Sequence, residues 1–278
     1  MIHNRKMGRI RRRRSYGNSP DSKLFFNDYS EEMFERIELI KNQFENGLAL
    51  GFRNLNIQKA KNIITLKTAE LSMNPGIDFV CDEELLPIKK SSLDLIISFF
   101  NHHFSNDLPG ILSQINQSLK PNGLFMGCLF AGDTLKELRF CFAKAEEEIS
   151  GGISPRISPF ADLQDLSNLL QRANFTLPVA DIDRQKVLYD SPIKLMNDLR
   201  LMGETNILNE QQKTFLRKDI LERSIEIYNQ NFRLENGKIF ATFEIAWVMG
   251  WKYHESQQKP LQPGSGKKSL SEAVNELD

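Results

Sequence analysis

Short apolar runs alternate with amphipathic helical segments over residues 47–150, and this alternation constrains the fold more than any other feature of the chain. Two of the runs, 93–99 and 123–130, are almost continuously apolar, as is typical of parallel strands covered on both faces. Alternation of this kind predicts an α/β fold with a doubly wound parallel sheet. The predicted strands are 48–50, 62–66, 77–81, 93–99, 123–130, 177–189 and 238–251.

The predicted helices also define the organisation of the chain. A helical insertion at about 190–235 separates the last two strands, so that the closing strand completes a seven-stranded, Rossmann-like sheet. We divide the chain into a basic arm with a capping helix (1–46), a main domain (47–258) and a flexible tail (259–278). The predicted helices are 29–44 with Ser30 as N-cap, 69–73, 108–119, 134–149 with Asp133 as N-cap, 159–173, 193–202 and 211–232.

Charge is balanced over the 278 residues, with 36 basic and 36 acidic side chains, but it is unevenly distributed. Residues 1–14 hold seven cations and no acid. This segment has three interpretations: a solvated basic helix, a contact surface for an acidic partner or nucleic acid, or an organelle-targeting peptide. The three cysteines lack metal-ligand spacing, which favours a reducing compartment. No apolar run reaches the roughly 18–20 residues of a membrane span.

In an open parallel sheet, ligands bind beyond the carboxyl ends of the strands. Gly51 follows the first predicted strand, and Asp82 follows the third. A carboxylate at Asp82 can accept a hydrogen bond from an exocyclic amine such as that of adenine, although an acidic helix start explains the same residue. These positions are the candidate site for a nucleotide-type cofactor.

Three segments resemble the third, fourth and fifth motifs of class I S-adenosylmethionine-dependent methyltransferases. They are Asp-Glu-Glu-Leu-Leu-Pro at 82–87, Leu-Asp-Leu-Ile-Ile-Ser at 93–98 and Leu-Lys-Pro-Asn-Gly at 119–123. Each motif alone is weak, but the order and the spacing are specific. The resemblance implies the methyltransferase fold and S-adenosylmethionine as cofactor, with Gly51, Glu70, Asp82 and Glu83 as cofactor-binding residues.

A narrower resemblance covers nearly the whole chain. Asn-Asp-Leu-Pro at 106–109, Gly-Asp-Thr-Leu-Lys-Glu-Leu-Arg at 132–139, Gly-Gly-Ile-Ser-Pro-Arg-Ile-Ser-Pro-Phe at 151–160 and Gly-Trp-Lys-Tyr-His-Glu-Ser-Gln at 250–257 resemble the methyltransferase-like assembly factors of respiratory complex I. The mitochondrial member of that family is regarded as an arginine hydroxylase acting on a complex I subunit, and bacterial relatives are described as methyltransferases. The resemblance therefore implies modification of a protein side chain.

The cofactor motifs depart from the family pattern. Ala49 stands where the first motif of the family has an acid. Of the glycines of that motif, only Gly51 is present. Lys67 stands where the second motif has the acid that binds the ribose hydroxyls, and Glu70 is three residues further on. Because a lost charge-assisted hydrogen bond costs about 1.5–3 kcal/mol, we expect binding of S-adenosylmethionine to be weakened by roughly two to four powers of ten, or lost.

The resemblance also points to a substrate side, with His103, Asp133 and His254 as catalytic candidates and Arg156 and Trp251 as substrate-binding candidates. Each has a plainer interpretation: loop histidines, a helix N-cap, a solvated turn arginine and a packing tryptophan. No metal-ligand set stands out in the sequence. Nucleic-acid binding is not expected, because no aromatic platform interleaves with the basic residues.

The sequence thus predicts an S-adenosylmethionine-dependent methyltransferase-like protein that modifies a protein side chain in complex I assembly. A non-catalytic assembly scaffold and a protein arginine hydroxylase are the alternatives. The expected partner is a protein substrate, such as a respiratory complex subunit. The expected compartment is the cytoplasm, with the mitochondrial matrix as the alternative.

Overall fold

A computed structural model describes residues 1–16, 20–51, 60–74, 76–211, 215–258 and 264–265, without the side chains of 20–24. Most of the predicted flexible tail, 259–263 and 266–278, lies outside the described residues. So does the segment 52–59 that follows the first strand. None of the described helices is long and apolar enough to cross a membrane.

Seven strands form one sheet in the order β3-β2-β1-β4-β5-β7-β6, which confirms the predicted fold class. The first five strands are parallel, while β7 runs antiparallel to both β5 and β6. The strands are β1 (Phe44–Leu50), β2 (Ile63–Glu70), β3 (Phe79–Val80), β4 (Leu93–Phe99), β5 (Leu119–Ala131), β6 (Phe175–Tyr189) and β7 (Ile239–Lys252).

Helices cover both faces of the sheet, because alternate strand residues point to opposite sides. On β4, Leu95, Ile97 and Phe99 join one apolar core, and Ile96 joins the other. The first core packs against α2, α4, α6 and α7, and the second against α3 and α5. The helices are α1 (Arg5–Ser15), α2 (Pro20–Glu38), α3 (Leu108–Ser118), α4 (Lys136–Ser150), α5 (Leu163–Arg172), α6 (Pro192–Met202) and α7 (Lys218–Phe232), with a 3₁₀ turn at His102–Phe104.

The helical insertion is present, since α6 and α7 lie between β6 and β7. Several predicted boundaries are wrong; α7, for example, begins at Lys218 rather than at 211. The helix predicted at 69–73 does not form, because β2 continues to Glu70 in register with β1. The helix predicted at 29–44 is part of α2, which ends at Glu38, and Phe44 already belongs to β1.

Both predicted N-caps are also wrong. Ser30 lies inside α2, where its hydroxyl donates to the Asn27 carbonyl at 2.9 Å. The N-cap of α4 is Leu135, in a left-handed conformation with φ of 59° and without a side-chain cap bond. The Asp133 carboxylate instead bonds the Lys136 ammonium at 2.8 Å.

A buried carboxylate fastens α4 to the central part of β7. The Glu137 side chain on α4 is 2% exposed and accepts hydrogen bonds from the Thr242 backbone N–H at 3.0 Å and from the Thr242 hydroxyl at 2.5 Å. The backbone adds a further bond, from the Leu135 N–H to the Thr242 carbonyl at 2.8 Å. The carboxylate is therefore a structural partner for two buried donors rather than a group facing solvent.

We predict that Glu137→Ala lowers the free energy of unfolding by about 3 kcal/mol, because it leaves two buried donors on Thr242 without an acceptor. Urea unfolding followed by circular dichroism measures the change. Glu147→Ala is the matched control, because Glu147 lies on the same helix with an exposed side chain. Equal stability of the two variants would contradict a structural role for Glu137.

Candidate functional site

Gly51 ends β1 in a backbone conformation that favours glycine. Its φ is +85°, and a Cβ built on it would lie 2.4 Å from the Phe99 carbonyl oxygen and 2.7 Å from the Asn101 Cβ. Its N–H points to the Ala69 carbonyl on β2 at 3.4 Å. Only glycine tolerates this combination of positive φ and close approach. The retained glycine therefore stands where the backbone leaves β1 and packs on the end of β4.

Glu70, rather than Lys67, occupies the carboxyl end of β2. Lys67 lies within the strand opposite Leu48, and its exposed ammonium bonds the Asp78 carboxylate at 3.1 Å. Glu70 is the last residue of β2 and is 6% exposed. Since Leu50 pairs with Ala69, Glu70 lies beside Gly51. The prediction that a cation replaces the strand-end acid is therefore wrong, because β2 extends three residues beyond Lys67.

Asp82 lies in a short turn after β3 rather than at the start of a helix. The turn is closed by the Leu85 N–H donating to the Asp82 carbonyl at 3.0 Å and by the Glu84 N–H donating to the Asp82 carboxylate at 2.9 Å. The Arg5 guanidinium contacts both carboxylate oxygens of Asp82. Partial burial works against ionisation, but the bonds from Arg5 and from the Glu84 N–H outweigh it and lower the pKa of Asp82.

Glu83 belongs to the same turn, and its side chain is buried. Its side chain faces the Asn101 amide, which donates to it at 3.4 Å. Burial raises the pKa of Glu83, although the nearby guanidinium groups of Arg12 and Arg5 act in the opposite direction. Glu83 therefore lies beneath the candidate cofactor edge, with Asn101 between it and Gly51.

The basic arm is docked rather than solvated. Arg12 on α1 is 6% exposed, and its guanidinium donates to the Asn101 side chain and to the carbonyls of Phe100 at 3.2 Å and Asn101 at 3.1 Å. These groups lie at the carboxyl end of β4. One face of α1 therefore covers the same edge of the sheet as Gly51.

Two buried histidines follow β4 directly. His103 Nε2 lies 2.8 Å from the Glu204 carboxylate, and both side chains are almost completely buried. His102 Nδ1 lies 2.9 Å from the Ser98 hydroxyl. Burial lowers the pKa of His102 to about 3, so its imidazole is neutral near neutral pH.

The two histidines line an open cleft of about 790 Å³ beside the sheet edge. Leu129 at the end of β5 and Phe160 supply apolar walls, and exposed side chains of α5 form part of the rim. His102 Nε2 has no hydrogen-bond partner in the described part of the chain. His102 Nε2 is itself buried, so the cleft presents mainly its apolar walls to a side chain entering from solvent, with the neutral imidazole behind its surface.

Asp133 and Arg156 lie on the carboxyl side of β5 but are engaged elsewhere. Asp133 is exposed and paired with Lys136, which is the first cause of its lowered pKa. Arg156 bonds the buried Glu146 carboxylate at 2.6 Å, and Ser154 bonds the same carboxylate. The predicted availability of Arg156 for a substrate carboxylate is therefore wrong, because Glu146 already fills that role.

Trp251 and His254 lie at the opposite edge of the sheet from His103. Because β7 is antiparallel to β5, Trp251 pairs with Leu124 in the first half of β5, and Glu244 pairs with Ala131 at its end. Seven residues of extended strand separate the two edges by about 24 Å. His254 is exposed and bonds Ser256 at 2.7 Å. The predicted grouping of Trp251 and His254 with His103 is wrong.

Sequence reasoning missed several residues of the site because their partners are distant in the chain. Glu204 contacts His103 across 101 residues, and Arg12 contacts Asn101 across 89. Neither the arginine run that contains Arg12 nor the sequence around Glu204 has a local pattern that predicts a contact with Asn101 or His103. Among the described residues, no group of three or more His, Cys, Asp or Glu is arranged to hold a metal ion.

The residues present fit an S-adenosylmethionine-type cofactor at this edge. Gly51 places no side chain at the point where the backbone leaves β1, and the space that a Cβ would fill there is taken by Phe99 and Asn101. A carboxylate at the end of β2, such as Glu70, is the group that accepts bonds from ribose hydroxyls. Asp82 carries a carboxylate at the same edge, and Arg5 contacts both of its oxygens.

Comparison with known proteins supports the methyltransferase fold. A family model described as a methyltransferase domain matches residues 50–127. The human protein named arginine-hydroxylase NDUFAF5, mitochondrial, is 42% identical over 207 residues, which is 74% of this chain and 60% of the human protein. The Rickettsia prowazekii protein RP459, which carries a methyltransferase name, is 32% identical over 187 residues, 64% of this chain and 82% of that protein.

A solved structure from Bacillus halodurans, described as a methyltransferase, superposes with a TM-score of 0.52 at 14% identity, covering 80% of this chain and 98% of that one. This likeness concerns the fold alone. The chain spans about 60% of the length of the human relative and 64% of the zebrafish one. On the fold, the methyltransferase domain match and the identity to these relatives, the chain belongs to the class I methyltransferase family and resembles NDUFAF5.

Proposed function

We propose that the protein binds S-adenosylmethionine at the carboxyl edge of its sheet and modifies a side chain of a protein substrate. Gly51 lets the backbone approach the cofactor, Glu70 accepts hydrogen bonds from the ribose hydroxyls, and Asp82 accepts one from the adenine amine. Glu83 lies at the same edge, where Asn101 donates a hydrogen bond to it. When bound, the cofactor supplies a methyl group for transfer. The other steps fall to the residues of the histidine cleft.

The observation that carries this proposal is the continuity between the cofactor edge and the cleft. Asn101 packs against Gly51, and the next two residues, His102 and His103, line the cleft. A side chain in the cleft therefore lies next to a cofactor that rests on Gly51. His103, oriented by Glu204, takes or gives the substrate proton, and neutral His102 donates or accepts a hydrogen bond.

The proposed partner is a subunit of respiratory complex I, because the long motifs from 106 to 257 resemble complex I assembly factors. The names of the NDUFAF5 relatives contain the word mitochondrial, which favours the mitochondrial matrix over the cytoplasm as the compartment. The cleft, at about 790 Å³, has room for a side chain together with neighbouring residues of a loop of the partner.

Hydroxylation of an arginine is the second candidate function, and the names of the human and zebrafish relatives favour it. The two reactions leave different products. Methyl transfer adds CH₂ to the substrate residue, whereas hydroxylation adds one oxygen atom. A non-catalytic scaffold adds neither, so one mass measurement separates all three functions.

The cofactor proposal predicts that Glu70→Gln weakens the binding of S-adenosylhomocysteine by about 10- to 100-fold, because an uncharged amide replaces the acceptor of the ribose hydroxyls. Isothermal titration calorimetry measures the affinity. Lys67→Gln is the control and leaves the affinity unchanged, since Lys67 lies within β2 and bonds Asp78. A larger loss in Lys67→Gln than in Glu70→Gln would refute the placement of the ribose acceptor.

The substrate proposal predicts a mass gain on a complex I subunit. Complex I from cells that lack this protein is incubated with the purified chain and S-adenosylmethionine, then digested and analysed by mass spectrometry. Modification falls about a hundredfold or more in His103→Gln, because the substrate loses its proton-transfer group.

His254→Gln is the matched control for this assay, because His254 is an exposed histidine at the far edge of the sheet. It modifies the substrate at the wild-type rate. Equal loss in both variants would contradict the assignment of the histidine cleft, and a product carrying one added oxygen would favour the hydroxylase.

A further inference from the structure

Helix α1 contacts Asp82, which is one of the residues of the proposed cofactor site. The two amino groups of the Arg5 guanidinium reach both carboxylate oxygens of Asp82, one at 3.2 Å, and Arg5 also lies 2.9 Å from the Glu84 carboxylate. Two-pronged pairing of this kind is stronger and more directional than a single contact. Asp82 is thus already engaged by a cation of the same chain.

The second contact lies about two turns further along the same face of α1. Arg12, seven residues after Arg5, inserts against Asn101, which packs on Gly51. Residues seven apart lie on the same side of a helix, about 10 Å from each other. The docked face of α1 therefore spans the edge from the Asp82 turn to the end of β4.

The start of α1 is also fixed by contacts that do not involve Asp82. The His3 N–H donates to the Asn106 side chain at 2.8 Å, and the Asn4 N–H donates to the Ile207 carbonyl at 2.7 Å. Arg11 donates to the Asn206 carbonyl from the helix itself. These bonds hold α1 across the edge, so its position does not depend on Arg5 alone.

We infer that α1 is an intramolecular competitor of the cofactor, in which Arg5 has to release Asp82 before the adenine side of the site can be filled. This inference rests on the cofactor site proposed above. Charge favours this contact, because Arg5 is attracted to the three carboxylates of the turn at 82–84 until a ligand replaces it at Asp82.

The test is calorimetric titration of the full chain with S-adenosylhomocysteine. Arg5→Gln removes the cation and is expected to bind the ligand about three- to tenfold more tightly than the wild type, as release of a partly exposed ion pair allows. Arg13→Gln is the matched control: it makes the same charge change on the exposed face of α1 and leaves the affinity unchanged.

A second variant guards against misfolding of α1. Glu84→Gln removes one of the carboxylates that hold Arg5 while leaving α1 and Asp82 intact, and its amide oxygen can still accept the Asn106 N–H that Glu84 binds at 2.7 Å. It is expected to bind S-adenosylhomocysteine more tightly than the wild type, by less than Arg5→Gln does.

Two results would overturn the inference, and they differ. In the first, the wild type binds S-adenosylhomocysteine as tightly as Arg5→Gln and Glu84→Gln, or more tightly. This result would mean that α1 is part of the cofactor site and does not compete for it, and the cofactor proposal would stand. Absence of binding in every variant would reject the competition and the cofactor site together.

Discussion

The parallel pairing of β1 with β2 on one side and β4 on the other determines where the chemistry of this protein can lie. Leu50 pairs with Ala69 and with Ser98, so the three strands end level with one another. That register brings the Gly51 turn, the Glu70 carboxylate and the start of the histidine segment to one edge. A shift of one residue in the pairing of β1 with β2 would turn Glu70 to the other face of the sheet and separate it from Gly51.

Because β7 runs antiparallel to β5, the motif that follows β7 and the motif that follows β5 lie at opposite edges of the sheet. Residues at the start of β7 lie at the functional edge, and those at its end lie at the far edge. Buried acids then fix the helices to this strand, since Glu137 binds Thr242, and Glu244 accepts the Asp133 N–H at 2.8 Å. The polar groups that follow β5 therefore serve mainly to hold the structure together. The proposed reactive groups, His102 and His103, follow β4.

Sequence patterns predicted the sheet well and the site only in part. The limits of β4 follow directly from its apolar run, but the end of β2 does not, because Lys67 interrupts the apolar pattern before the strand ends. Strand order and direction are long-range properties, so His254 could be assigned to an edge only once the pairing of β7 was known. The docking of Arg12 depends on a buried carbonyl cluster that no local pattern reveals.

Hydrogen–deuterium exchange with and without saturating S-adenosylhomocysteine tests the central claim most directly, namely that the functional site is the edge after β1, β2 and β4. The account predicts slower exchange at 68–71 and 99–104 on addition of the ligand, with no change at 250–257. Slower exchange at 250–257 without a change at 68–71 and 99–104 would contradict it.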